Sequence, residues 1–433
     1  MKSARNRTSV LTDDASVHLR RKLRLAYVVT HPIQYQAPLL RRIALEPDID
    51  LTVLFASDHS VRGYRDEGFG GARVKWDIPL LEGYRYEFLP TIRAATWTGF
   101  WAPINRGFYA AFRKGKYDVI WLHGYWSINS IFAMIAAKLL GIPLLLRTDG
   151  TLIDRRRSRL RLAIKRIFFS IACHFIDGVL PVGTRNRDYW LHYLGPKFPS
   201  FMAPYAVDNA YFEEMAARAS QSREEFRQTL GLEKGRAIIL YASKLIERKR
   251  CVDLINAYLG IRTEAGGKRP YLLIVGDGPE RAKCEAMVRD AGDSSTLFLG
   301  FQNQSEMARF FDLCDVFVLP SVDEPFGLIV NEVMNAGRAV IVSDQVGCQP
   351  DLIEDGVNGK VFPAGDVLAL RSAIETLLGD STLRNALGRS GLDRIKRWSF
   401  EDDIRGLREA LHYVAGLPLS IETHDQVAAN VTA

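Results

Sequence analysis

Short, continuously apolar runs alternate with helix-periodic stretches along almost the whole chain. In the first half the runs are RLAYVVT (24–30), LTVLFAS (51–57), VIWLH (119–123), LLLRTD (144–149) and GVLPVG (178–183). Stretches such as QAPLLRRIAL, SINSIFAMIAAKLLG and RLAIKRIFFSIACHF lie between them. The second half repeats the scheme with AIILYAS (237–243), YLLIVGD (271–277), TLFLG (296–300), VFVLPS (316–321) and AVIVSD (339–344). Segments such as VDLINAYLGIR, RAKCEAMVRDAG and EMARFFDLC separate these. A strand wetted on one face alternates apolar with polar residues, whereas unbroken runs suit parallel strands covered on both faces. Two doubly wound α/β domains are the economical prediction. The strand-like FMAP (201–204) and the turn at Pro204–Asp208 mark the seam. The expected layout is a disordered leader at 1–22, domains at 23–205 and 206–397, a helix at 398–416 and a disordered tail at 417–433. With two such domains, the cleft between the carboxyl ends of their strands is the default ligand site.

Composition narrows the class. The chain has 433 residues, 47% apolar and 25% charged, the balance of an ordinary globular protein. Its five cysteines, Cys173, Cys251, Cys284, Cys314 and Cys348, stand singly. That spacing argues against a disulfide framework or zinc ribbon and for a reducing, cytoplasmic setting. The N-terminal MKSARNRTSVLTDDASVHLRRK lacks the apolar core of a secretory signal. The longest apolar candidate, 127–146, is broken by Lys138 and Pro143, so no membrane span is expected. The net charge of +7 conceals an imbalance: residues 1–205 hold 31 Lys/Arg against 16 Asp/Glu, and the remainder is acidic. An anionic partner for the first half follows.

The most informative stretch is VFVLPSVDEPFGLIVNEVMNAGRAVIVSDQVGCQPDLIEDGVNGKVFPAGD (316–366). A strand ends at Pro320, a loop carries Glu324, and a helix starts near Gly327, with Glu332 about two turns in. Free N–H groups at Phe326, Gly327 and Leu328 could cradle a phosphate, with a carboxylate on either side for sugar hydroxyls. This stretch resembles the E-x7-E signature of retaining glycosyltransferases with the GT-B fold, specifically glycosyltransferase family 4. The resemblance runs from about Arg24 to Ala415 and is most specific in the second half. It implies two Rossmann-like domains facing across a cleft and a C-terminal helix, WSFEDDIRGLREALHYV (398–414), that crosses back to the first domain. PYAVD (204–208) takes the place of the family's hinge.

YASKLIERKR (241–250) resembles the family element whose Arg and Lys bind the donor diphosphate. Lys244 and Lys249 hold those positions, and Ser243 and Arg250 replace its two glycines. Exchanging Arg for Lys keeps the charge but loses the bidentate fork. LLIVGDGPER (272–281) matches a glycine turn at Gly276 and Gly278. LGFQNQSEM (299–307) falls where the family packs the nucleotide base against backbone, with Gly300 and Phe301 as contacts. YDVIWLHGYW (117–126) places His123 at the family's histidine near sugar and acceptor. In LRTDG, Asp149 stands where many relatives carry a histidine. The first loop, THPIQYQAP (30–38), lacks the family's paired glycines; His31, Gln34 and Tyr35 remain first-loop and acceptor candidates, and Pro32 and Pro38 could equally shape a tight helix entry.

The resemblance implies transfer of a sugar from a UDP- or GDP-linked donor to the hydroxyl of a glycan or lipid-linked acceptor, with retention and without a metal or other cofactor. Glu324, His123 and Lys249 would be catalytic. Lys244, Lys249, Gly276, Gly300, Phe301, Glu324, Phe326, Gly327, Leu328 and Glu332 would bind the donor. The only D-x-D, Asp48-Ile49-Asp50, precedes a strand and reads as a surface turn. Between Arg155 and Arg166 seven of twelve residues are basic, interleaved with Leu160, Leu162 and Ile164. Such a helix can lie on an anionic membrane surface, making the protein peripheral on the cytoplasmic face, or can be the solvated side of a domain helix. Nucleic acid is not an expected partner, since no stacking or helix-turn-helix motif accompanies the charge. Two other classes stay open: a sugar-nucleotide 2-epimerase-like isomerase, and an inactive donor-binding partner subunit.

Overall fold

The computed structural model describes residues 21–94, 99–153, 159–261 and 268–416. Two six-stranded sheets organise it. The first runs Gly178–Val179, Leu144–Arg147, Val119–His123, Leu23–Val29, Ile49–Phe55, Arg85–Phe88. The second runs Thr296–Gly300, Tyr271–Val275, Ile238–Ala242, Val316–Leu319, Ala339–Ser343, Lys360–Phe362. Every neighbouring pair is parallel. In each sheet the order reverses beside the first strand, which opens a crevice at the strands' carboxyl ends. Apolar clusters cover both faces of both sheets, which is why the central strands need no polar alternation.

Each half thus has a sixth strand where the sequence pattern marks five. Arg85–Phe88 and Lys360–Phe362 are edge strands; every residue of the former is exposed. Arg85–Phe88 has no covered face to mark it, and Lys360–Phe362 is only three residues long. GVLPVG forms a ladder only at Gly178–Val179, because Pro181 has no N–H to give. FMAP is not a strand. It runs extended beside that segment, with Phe201, Ala203 and Tyr205 N–H donating to Val179, Pro181 and Val182 carbonyls. Local signals fix the helices: Ser127 caps Ile128–Leu140 by accepting from Ser130 N–H, and Gly141 ends that helix at φ 64°. Asp48 and Asp50 serve structure: Asp48 pairs with Arg408 at 2.8 Å, and Asp50, already in its strand, pairs with Arg85.

The Phe400–Ala415 helix returns to the first domain. Ser399 and Asp402 form a capping box, and Ile404, Leu407 and Leu411 join the first sheet's core. Gly406 allows flush contact, since a Cβ there would lie 1.8 Å from the Met202 carbonyl oxygen. At the centre of this seam Arg147 meets Asp403, Nη2 to Oδ2 at 2.5 Å, with side chains 2% and 0% exposed. Arg147 also donates to the Ala203 carbonyl and lies over the Tyr205 ring at 4.8 Å. Burial raises the Asp403 carboxyl above its usual range, and the guanidinium draws it back. Removing one partner strands the other. Asp403→Asn should cost about 3–5 kcal/mol in urea unfolding, and Arg147→Met/Asp403→Leu should recover most of that loss.

Candidate active site

A cavity of about 410 Å³ lies between the domains. Its second-domain wall grows out of the Val316–Leu319 strand. Beyond Pro320 the chain turns through Asp323 at φ 53°. Glu324 is then pinned by its backbone: its N–H donates to Gln345 O at 3.3 Å and its carbonyl accepts from Gly347 N–H at 2.9 Å. The buried Glu324 carboxylate pairs with Lys249 and lies 3.7 Å from Arg248. Burial lowers the Lys249 ammonium pKa, Glu324 raises it, and neighbouring Arg248 lowers it again.

Gly327 has φ 94°, and a Cβ there would stand 2.9 Å from Val346 Cγ1, so only glycine fits. Gly327 and Leu328 line the cavity, and the helix proper spans Ile329–Met334. Glu332 reaches the same cavity from that helix, its carboxyl pushed up to about 8 by burial. Phe326 is instead a core residue, 4% exposed and edge-on to Tyr205 at 5.5 Å, so its ring points away from the cavity.

Lys244 lines the cavity and pairs at 2.8 Å with Asp66, from the first domain. Arg250 takes the left-handed conformation, φ 55°, that the motif's glycine would occupy, braced on Asp253 at 2.7 and 2.9 Å. Gly276 lines the cavity and packs on the Ser243 backbone, 2.0 Å from where its Cβ would stand. Phe301 is at the cavity wall. Gly300 is behind it, accepting the Gly276 N–H at 2.8 Å, a bond that holds the loop rather than faces a ligand.

The first domain contributes Gln34 and Tyr35. Burial, then the Asp149 charge, pushes the Tyr35 hydroxyl up to about 12. Asp149 is itself raised by burial and by the charge of Glu324 across the domain boundary. His123 does not line the cavity. Its ring stacks beside Tyr205 and contacts Gln36 Nε2 at 3.0 Å, while Gln36 Oε1 accepts from Tyr27 OH at 2.6 Å. Burial, Arg147 and His31 push it down to about 3, so it is a neutral hydrogen-bonding group. His31 is also outside the lining, 4.4 Å from the His59 ring and pushed down to about 3. Sequence reasoning does not single out Gln36, Arg147 or Arg248, and it marks residues 58–79 as a pocket-lining loop without naming Phe69 or Trp76 within it. The first three sit inside the motifs themselves; Phe69 lies within a glycine cluster, Gly68, Gly70 and Gly71, and Trp76 follows it, in a loop with no strand signal. Among the described residues no group of three or more His, Cys, Asp or Glu side chains is placed to hold a metal ion.

Similarity to known proteins fits this geometry. The structure of Anabaena HepE in complex with UDP matches with a TM-score of 0.69 at 17% identity, covering 91% of this chain and 100% of that one. Sucrose-phosphate synthase from Thermosynechococcus elongatus gives 0.66 at 19% identity, over 90% and 98%. The chain has the GT-B fold. Residues 222–394 match the family described as glycosyl transferases group 1. N-acetyl-alpha-D-glucosaminyl L-malate synthase of Bacillus anthracis is 28% identical over 190 residues, 44% of this chain and 48% of that enzyme. The chain spans less than half the length of the first curated relatives it matches.

Glu332 gives a test of the cavity's electrostatics. Its folded pKa near 8 exceeds its ordinary 4.5, so the folded state holds the proton longer and loses stability as pH rises from 4.5 through 8. Glu332→Gln should flatten that decline, leaving the variant the more stable protein in urea melts above pH 8 and no more stable at pH 4.

Proposed function

We propose that this GT-B protein is a retaining, metal-independent member of glycosyltransferase family 4, moving a sugar from a UDP- or GDP-linked donor to an acceptor hydroxyl in glycan, polysaccharide or glycolipid synthesis. The observation that carries the reading is the buried Lys249–Glu324 pair, with Arg248 beside it and Lys244 on the same cavity wall. A departing nucleoside diphosphate gathers negative charge, and preorganised cations in a water-poor cleft stabilise it without reorganising. Lys249 supplies that charge, joined by Lys244 once Asp66 releases it, and Gly327 and Leu328 line the same space with their backbone. Glu324 holds sugar hydroxyls and offsets positive charge at the anomeric carbon. Glu332 binds the ribose.

The anomeric C–O bond to the diphosphate breaks as the acceptor oxygen bonds to the same face, and the acceptor's proton passes to a diphosphate oxygen. Gln34 and Tyr35 line the acceptor side. His123, neutral and backed by Gln36, positions rather than ionises. Asp149, just past the Leu144–Arg147 strand, is outside the cavity lining, and burial and the charge of Glu324 raise its carboxyl. The UDP in HepE places uridine donors first in any panel. Nucleoside diphosphate release should be seen from one of UDP-, GDP- or ADP-sugars, and both Glu324→Ala and Glu332→Ala should lose it by about 100-fold or more. Release from none of the donors refutes the transferase reading, and a new sugar nucleotide formed without acceptor would replace it with an isomerase.

An anionic membrane surface is part of the same proposal, as the place of a lipid-linked acceptor. Arg155, Arg156 and Arg157 lie outside the described residues. Lys165 faces inward, 4.4 Å from the Tyr189 ring centre. What supports docking is the other face of the Arg159–Ala172 helix. Leu160, Ile164, Ile167 and Ile171 are 69, 54, 61 and 58% exposed, with Arg159, Arg161 and Arg166 exposed around them. The Ile128–Leu140 helix, on the same face of the sheet, adds Ile135 and Leu139 at 42 and 72%. Apolar residues rimmed by arginine fit the headgroup boundary of an anionic bilayer. No helix among the described residues is long and apolar enough to cross one. The protein should float with phosphatidylglycerol vesicles and not with phosphatidylcholine, and Ile164→Glu/Ile167→Glu should weaken this about tenfold or more. Equal binding by the variant, or a dimer that the substitutions dissolve, overturns the membrane assignment.

A further inference from the structure

The Tyr64–Asp66 and Ala72–Val74 strands form a hairpin of the first domain that leans onto the second. Its tip crosses the cavity at two points. Asp66 Oδ2 is 2.8 Å from Lys244 Nζ, and Phe69 is edge-on to Phe301 with ring centres 4.9 Å apart. The same ammonium sits 4.8 Å from the centre of the Phe69 ring. Behind the tip, Trp76 adds a third ring at 6.1 Å from Phe301, and Asn303 Nδ2 donates to the Lys75 carbonyl at 2.8 Å. The hairpin therefore stays tethered to the second domain by its base while its tip touches the two groups to which the proposed function gives the donor's phosphate and base.

The geometry points to Asp66 and Phe69 as affinity-setting residues of the nucleotide site, acting as its internal competitor. The Asp66 carboxylate holds the Lys244 ammonium in place of a phosphate, and the Phe69 ring covers Phe301 in place of the base. The inference rests on the donor reading. An anion cannot add to Lys244 at full strength while a carboxylate neutralises it, and a planar base cannot stack on a Phe301 face already covered by another ring. Asp66 also accepts the Gly68 N–H at 2.8 Å through Oδ1. Departure of the carboxylate thus frees two donors together, an ammonium and a backbone N–H, for the incoming diphosphate. Gly68 is what lets the tip sit so low, since a Cβ there would be 2.8 Å from Lys244 Cδ and 2.9 Å from Asp66 Oδ1. The tip also meets the glycine turn, with the Gly68 carbonyl oxygen 2.9 Å from where a Gly278 Cβ would stand.

Competition makes an uncommon forecast: deleting contacts to the site should tighten it. Calorimetric titration of the full chain with UDP and GDP is the measurement, with thermal melts as the fold control. Asp66→Asn should lower the Kd of the bound nucleotide by about threefold to tenfold. Phe69→Ala should lower it over the same range. The fragments separate the two halves of the claim: inorganic pyrophosphate should respond more to Asp66→Asn than to Phe69→Ala, which also touches Lys244, and uridine or guanosine should respond to Phe69→Ala alone. Weaker or unchanged binding in a variant that melts like the parent would show that the hairpin builds the site rather than occupies it, and would overturn the inference. If the parent binds neither nucleotide, the donor reading falls and takes this one with it. Parent binding with indifferent variants sinks this inference alone.

Discussion

A guanidinium and a carboxylate with no access to water hold the first and last parts of this chain together. Arg147 stands at the end of a first-domain strand and Asp403 in the terminal helix, and each is tolerable only because the other is there. The pair does not stop at the seam. Arg147 lies over the rings of Trp121 and Tyr205 and donates to the Ala203 carbonyl. Tyr205 also meets Phe326, ring centres 5.5 Å apart, and its carbonyl accepts from the Trp398 indole at 2.8 Å. Sheet, interdomain turn, terminal helix and the loop carrying Glu324 thus share one packed knot. Where the domains meet the cavity is set from behind it.

Much of this architecture was legible. Unbroken apolar runs announce parallel strands because two covered faces remove any need for polar alternation, and ten of the twelve main strands carry that mark. The two that do not are Arg85–Phe88, exposed along its whole length, and Lys360–Phe362, three residues long; the other two edge strands keep the mark. Glu324, Lys249 and Gly327 were legible for a different reason: each is demanded by a backbone shape or a charge that a short motif encodes. Phe326 and Gly300 sit in the same motifs yet do not line the cavity, because a motif gives sequence neighbours and not which of them the fold brings to the wall.

The residues that escaped notice share a cause. Gln36, Arg147 and Tyr205 matter through partners far away along the chain: Gln36 through His123, Arg147 through Asp403, and Tyr205 again through His123. No local pattern records such partners. Asp66, Phe69 and Trp76 lie in or beside a hairpin whose strands are three residues long, too short for periodicity to show. The basic helix shows the opposite error of scale. Its charge count drew attention, whereas the structure turns Lys165 inward and leaves the isoleucines outside.

The returning helix has a bearing on how such molecules can be recombined. Because Phe400–Ala415 completes the first core and Gly406 rests directly on the Met202 backbone, the first domain is discontinuous in the gene. A chimera cut once, in the turn near Pro204, would transplant one protein's closing helix onto another protein's sheet and mate a glycine notch with a foreign ridge. Inheritance by module therefore needs two crossovers, with the last stretch of chain travelling alongside the whole of the first domain.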